Sequence, residues 1–131
     1  MIYFDNAATT SVNKELLVSF NQLVEKYYGN PSSNHKYGLE SSRLLSLARE
    51  QLLSLLGLDK NYEIIFTSGA TESNNLAIKG VALAYKNRGT HLITTNVEHP
   101  SVLNAFKQLE EEFGFEVTIL PVNKKGIIEP D

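Results

Sequence analysis

A chain of 131 residues, 42% hydrophobic and 21% charged, is long enough for one compact domain with a core of its own. Its 12 basic and 15 acidic side chains nearly balance without any basic block or stripe, which disfavours a primary role on nucleic acid or an anionic membrane. Cysteine is absent, which excludes a disulfide framework and any thiol chemistry supplied by this chain.

The opening MIYFDNAATT lacks the basic-then-apolar order of a secretory signal, and no apolar run approaches a membrane span. A soluble, cytoplasmic protein is expected, with no metal site. Along residues 14–28, Leu16, Leu17, Phe20, Leu23, Val24, Tyr27 and Tyr28 recur at helical spacing. Asn13 is the expected N-cap of that helix and Gly29 its stop. GNPSSNHKYG, residues 29–38, is a run of turn formers too polar for the interior of an element. A second helix is expected to about Leu56, burying Leu45, Ala48, Leu52, Leu55 and Leu56, with Gly57 ending it.

Beyond this point the rhythm changes. Glu63 to Thr67 reads as a short strand, apolar on both faces, of the kind found in parallel sheets covered by helices. A helix from about Ala70 to Lys86 follows, then a strand over Leu92–Thr95. The next helix starts near Pro100, carries Leu103, Phe106, Leu109 and Phe113, and stops at Gly114. Phe115 to Val122 is the last expected strand. Strand–helix–strand–helix–strand at this spacing predicts right-handed crossovers and an α/β fold of three layers, α/β/α. The two leading helices fall outside that repeat and are expected against its edge or a partner subunit. The closing Gly126–Asp131 reads as a turn leading into another element, so the chain is expected to be the front part of something longer.

Ligands of open parallel sheets bind beyond the carboxyl ends of strands, where helix N-termini point. Two segments occupy that position. In Phe66-Thr67-Ser68-Gly69-Ala70-Thr71-Glu72-Ser73-Asn74-Asn75 a strand runs through small residues into a helix. Gly69 and Ala70 admit close backbone approach, the helix start offers free N–H groups, and Thr71 adds a hydroxyl, which together make an anion cradle suited to phosphate. No Walker Gly-Lys-Ser/Thr and no G-x-G-x-x-G is present. The competing reading is that Ser68 and Thr71 only cap the helix. The second segment is Asn96-Val97-Glu98-His99-Pro100-Ser101, which sets His99 at a helix start on the same rim. A histidine there can stack on a planar ligand or move protons near neutral pH, or be an ordinary capped or solvated loop residue. Together the two segments describe a site for a phosphorylated aromatic ring.

Four ordered motifs, YFDNAATT, GNPSSNHKYG, FTSGATESNNLAIKG and EHPSVLN, resemble the amino-terminal half of the class V aminotransferase-like cysteine desulfurases. The resemblance runs from Tyr3 essentially to the end, and GATESNN and EHPSV are its most specific parts. It implies that residues 1–131 form the amino-terminal part of the large, pyridoxal 5′-phosphate (PLP)-binding domain of a type I PLP-enzyme fold. It also implies that Ala70 and Thr71 bind the cofactor phosphate, and that His99 stacks on the pyridine ring and helps transfer protons. By the same resemblance the loop of Asn30 and His35 borders the active-site region without a chemical step. Asp5–Thr10 is similar to a segment near the substrate entrance. The family's cofactor-bonding lysine, its aspartate on the pyridine nitrogen and its sulfur-accepting cysteine all lie downstream of these motifs. Lys79 sits mid-helix and does not match that lysine. The implied activity converts L-cysteine to L-alanine and leaves a persulfide on the enzyme, which serves a sulfur-acceptor protein, as in iron–sulfur cluster assembly or tRNA thiolation. The enzyme is implied to be a homodimer, and this chain alone is expected to be inactive. Alternatives are another class V enzyme, a selenocysteine lyase or kynureninase-like protein, or a non-catalytic scaffold module.

Overall fold

A computed structural model describes residues 2–128. The chain divides into two compact units, residues 1–64 and 65–131. The first is helical. Helix α1 spans Lys14–Lys26, and the Asn13 side chain caps it by accepting from the backbone N–H groups of Glu15 at 2.8 Å and Leu16 at 3.3 Å. It ends at Tyr27, whose N–H closes on the Leu23 carbonyl, and not at the expected stop Gly29. The glycine at 29 answers a different need. A Cβ there would lie 2.5 Å from the Tyr37 carbonyl carbon, so Gly29 permits the chain to pass against the backbone of the next helix.

The apolar stripe of α1 has the expected spacing, but α1 and α2 do not pack on each other, and Leu16, Phe20, Leu23 and Val24 all remain exposed. Helix α2 spans Lys36–Leu55. Its buried residues are Gly38 and Ser41, at the amino-terminal end. Of the face expected to be buried, Leu45 and Ala48 are half-buried, while Leu52, Leu55 and Leu56 are exposed. The reason is that loop 29–35 closes on the first turns of α2, and no other element of this unit covers its carboxyl half. A Cβ at Gly38 would meet the Ser33 carbonyl oxygen at 2.2 Å. After Gly57, in the left-handed region at φ 67°, the chain runs back, and the Arg49 side chain donates to the Ile64 carbonyl at 3.1 Å.

The second unit carries α3 (Ala70–Ala84), β1 (His91–Thr95), α4 (Pro100–Phe113) and β2 (Glu116–Leu120). The strands pair in parallel, with His91 opposite Glu116 and Thr95 opposite Leu120. Parallel pairing needs a crossover, and α4 provides it. Gly114 ends α4 at φ 69°, a conformation that a glycine adopts without strain and that turns the chain toward β2. The helices α3 and α4 pack together, and α4 lies against both strands. Ala82, Leu109 and Phe115 form the core, with Ile78 and Leu92 packed on it, and Leu109 has no exposed surface. Across the helix pair, the Lys79 ammonium donates to the Gln108 side-chain carbonyl.

The α/β class expected from the alternating elements is therefore what the chain adopts. The expected strand over 63–67 is not formed, since the sheet has two strands among the described residues. Apolar residues make a segment extended and strand-like, but a strand exists only through a partner for its N–H and C=O groups. Residues 65–67 instead border an apolar groove of about 340 Å³ along α3, lined by Ile65, Thr67, Leu76, Ala77, Gly80 and Val81 among others. A turn at 123–127 overlaps only the start of the closing segment expected over Gly126–Asp131. The Asn123 side chain accepts from the N–H groups of Lys125 and Ile127 around Gly126 at φ 76°. Residues 129–131 of that segment lie outside the described residues. No helix among the described residues is long and apolar enough to cross a membrane, and no group of side chains there suits a metal ion.

Candidate functional site

The site is built where α3 and α4 begin. Gly69 precedes α3 in a fully extended conformation, and no side chain caps this helix. Neither the Ser68 nor the Thr71 hydroxyl accepts from a first-turn N–H of α3; Ser68 is bonded instead to the Glu72 side chain of that turn. Among the described residues the N–H groups of Ala70, Thr71 and Glu72 have no acceptor; the first intrahelical bond runs from the Ser73 N–H to the Gly69 carbonyl at 3.1 Å. Ala70 and Thr71 are exposed, and the Thr71 hydroxyl makes no hydrogen bond there either. Unsatisfied donors at the positive end of a helix dipole, with a free hydroxyl beside them, are chemically suited to an anion.

The flanking residues are occupied elsewhere. Glu72 Oε2 accepts from both the hydroxyl and the N–H of Ser68, each at 2.7 Å. The Ser68 hydroxyl, and after it the Ser68 N–H, hold the Glu72 carboxyl below its ordinary range. Thr67 Oγ1 shares a 2.6 Å hydrogen bond with Ser73 Oγ. The donors left open are those of residues 70–72 and the Thr71 hydroxyl.

His99 is the N-cap residue of α4. Its Nδ1 accepts from the Ser101 N–H at 3.1 Å and lies 2.9 Å from Ser101 Oγ, and Pro100 occupies the first helical position, where a missing N–H costs nothing. Ser101 is buried, and its hydroxyl receives the Asn74 Nδ2–H of α3 at 2.8 Å. That bond ties the two helix starts together. Thr71 precedes Asn74 by three residues, or about 4.5 Å along the helix axis. The cradle and the imidazole, separate motifs in the sequence, thus share one end of one helix pair. His99 is exposed, so its ring is accessible to a ligand held there.

Other residues singled out from the sequence do different things. Asn30 Oδ1 accepts from the Ser32 N–H at 2.9 Å, and His35 Nδ1 accepts from the Gly38 N–H at 3.3 Å as the cap of α2. Both act as turn and cap residues. Asp5–Thr10 contains a turn in which the Asp5 carbonyl accepts from the Ala8 and Thr9 N–H groups and from the Tyr3 hydroxyl. Lys79 is engaged with Gln108 between α3 and α4, in keeping with its failure to match a cofactor-bonding lysine. Thr95 Oγ1 donates to Glu98 at 3.2 Å, which orients the turn before His99. Sequence reasoning assigned no role to Asn74 and Ser101. The legible part of the signal was the His-x-Ser spacing, which suits an N-cap reaching two residues on; the bond across to Asn74 had none.

The apolar groove beside residues 65–67 has no titratable group in its lining and is not where the chemistry sits.

Comparison with known proteins places the chain in a family. The family described as Aminotransferase class-V matches residues 2–131. A NifS/IcsS protein homolog of Lactobacillus delbrueckii subsp. bulgaricus is 52% identical over 131 residues, all of this chain and 34% of the relative. The human cysteine desulfurase is 53% identical over 129 residues, 98% of this chain and 28% of the relative. The chain thus spans about a third of the length of the curated relatives it matches. Among solved structures, a NifS-like protein superposes with a TM-score of 0.86 at 40% identity, over 98% of this chain and 35% of that one. SspA in complex with cysteine superposes with a TM-score of 0.77 at 42% identity, over 91% of this chain and 34% of that one. The chain belongs to the class V aminotransferase family.

Proposed function

We propose that this chain supplies the phosphate anchor and one wall of the cofactor site of a PLP-dependent cysteine desulfurase. The observation that carries the reading is the Asn74–Ser101 hydrogen bond, which joins an uncapped helix start to a histidine with an accessible ring. A dianionic phosphate needs several convergent donors, and residues 70–72 with the Thr71 hydroxyl offer them. A flat pyridine ring needs a flat neighbour, and His99 offers one beside that cradle. The residues present therefore fit the group. PLP, when bound, supplies an electron sink for charge developing at the substrate's α-carbon.

The chain's own contribution is to bind and orient. The α3 terminus fixes the phosphate end, Ala70 keeps the approach free of bulk, and Thr71 donates its hydroxyl. His99 covers one face of the ring, excludes water from it, and holds a proton at Nε2 near substrate. The substrate favoured is L-cysteine, because relatives near 50% identity are named cysteine desulfurase and one superposable structure is titled as a complex with cysteine. In the full reaction a thiolate attacks the substrate sulfur, the carbon–sulfur bond breaks, and alanine leaves with sulfur retained as a persulfide. This chain has no cysteine, so that thiolate comes from outside these 131 residues. In the same reading the enzyme is a cytoplasmic homodimer that passes sulfur to an acceptor protein; the uncovered apolar face of α1 favours such association.

The test is product analysis on the complete enzyme that carries this chain. With L-cysteine it should release alanine in equal amount to sulfur held as protein persulfide. Turnover of selenocysteine or kynurenine with cysteine untouched would reassign the substrate. Tight folding with no PLP bound would leave a scaffold module.

A further inference from the structure

Two hydrogen bonds meet at His99 Nδ1: the Ser101 backbone N–H can only donate, and the Ser101 hydroxyl beside it is oriented from α3. Ser101 presents two donors to His99 Nδ1, its backbone N–H at 3.1 Å and its hydroxyl at 2.9 Å. The hydroxyl is directed that way by what it receives on its other side. Asn74 Nδ2 donates to Ser101 Oγ at 2.8 Å, which occupies an oxygen lone pair and leaves the O–H free to turn toward the imidazole. Ser101 is only 8% exposed, so water competes little for that hydroxyl. A nitrogen that accepts cannot carry the proton, and the proton of the neutral ring therefore lies on Nε2. Among the described residues Nε2 makes no hydrogen bond, so this N–H edge is the one open to a ligand.

We propose that Asn74, through the Ser101 hydroxyl, is a positioning residue that strengthens the Nε2–H tautomer of His99 and holds its ring against the cradle. The relay is donor to acceptor throughout: Asn74 amide to Ser101 oxygen, Ser101 hydroxyl to His99 nitrogen. Asn74 itself touches nothing that reacts. The inference rests on the ring-facing role proposed for His99, but the tautomer can be measured without cofactor.

The test inverts the relay. An aspartate at 74 is close in size and only accepts when ionised, so in Asn74→Asp the Ser101 hydroxyl turns to it and presents a lone pair to His99 Nδ1. Ring ¹⁵N shifts of the histidine-labelled 131-residue chain, with His35 and His91 assigned by single substitution, report the tautomer at a pH where the ring is neutral. The wild type should show Nε2 protonated and Nδ1 as acceptor. In Asn74→Asp the ratio of Nε2–H to Nδ1–H should fall about two- to tenfold, the equilibrium weight of one net hydrogen bond. Ser101→Ala should lose part of the preference and Ser101→Thr, which keeps the hydroxyl, should restore it. A backbone spectrum unchanged between variants shows that the fold has held. An unaltered tautomer ratio in a folded Asn74→Asp chain overturns the proposal, as does a wild-type ring protonated on Nδ1. Titrating PLP and following the His99 resonances separately tests the reading underneath: if they do not move, His99 does not face the ring, whatever its tautomer.

Discussion

Replacing Thr71 by valine removes one hydroxyl and keeps the shape and branching of the side chain. Among the described residues that hydroxyl has no hydrogen-bond partner, Thr71 is exposed, and α3 has no side-chain cap to lose. The apoprotein should therefore keep its stability to within about 0.5 kcal/mol, as surface substitutions do. Cofactor retention should not survive so well. A hydrogen bond to a charged phosphate contributes about 1.5–3 kcal/mol, which corresponds to a rise in Kd of about ten- to 150-fold. The helix-end N–H groups of residues 70–72 remain, so binding weakens without vanishing. The assay is titration of the complete apoenzyme with PLP, followed by absorbance, beside a thermal melt of each apoprotein. Ser11→Ala serves as a control in the exposed stretch before α1 and should change neither measurement. An unchanged Kd for Thr71→Val would place the phosphate elsewhere. A drop in apoprotein stability of more than about 1 kcal/mol would mean that the hydroxyl has a structural partner, and the cradle argument would fail on its premise.

Three further outcomes follow from named contacts. His99→Asn should keep α4 capped, because asparagine is itself a strong N-cap, while His99→Ala should cost about 1 kcal/mol; both should shift the cofactor spectrum and slow the early proton transfer, so a normal spectrum in the asparagine variant would deny the ring contact. Leu109→Ala removes a side chain with no exposed surface from the helix–sheet core and should destabilise the chain by about 2–5 kcal/mol in urea unfolding. Glu72 should make stability pH-dependent: Ser68 lowers its folded pKa, so its contribution is complete above the ordinary carboxyl range and is lost as pH falls through the lowered value. Urea midpoints measured from neutral pH into the acid range should therefore fall less steeply in Glu72→Gln than in the wild type.

Much of the local structure was legible because it depends on neighbours in the chain. Asn13 caps α1, Pro100 opens α4 and Gly114 closes it, as their conformational preferences require. The parallel pairing of two short strands around a helix follows from their spacing, and the anion cradle follows from small residues between an extended segment and a helix. Positions legible as turn formers proved to have two uses. Gly29 looked like a helix stop but is a glycine because the Tyr37 backbone lies where its Cβ would be, a contact eight residues away that no local preference records.

What the sequence by itself determined was element type, the ends of α4, and the identity of two chemically capable segments. What only the tertiary structure decided was which of these gain partners. Residues 63–67 have a strand's composition without a strand's hydrogen bonds, and the leucines of α2 have a core's periodicity without a core, because pairing and burial belong to two surfaces and a sequence pattern describes one. The site shows the same division. Thr71 and His99 could be named from their motifs, but the link from Asn74 to Ser101 spans 27 residues and orients the hydroxyl that meets the imidazole beside the Ser101 N–H. That orientation depends on which donor meets which lone pair across the α3–α4 contact, a fact fixed only when the two helices pack.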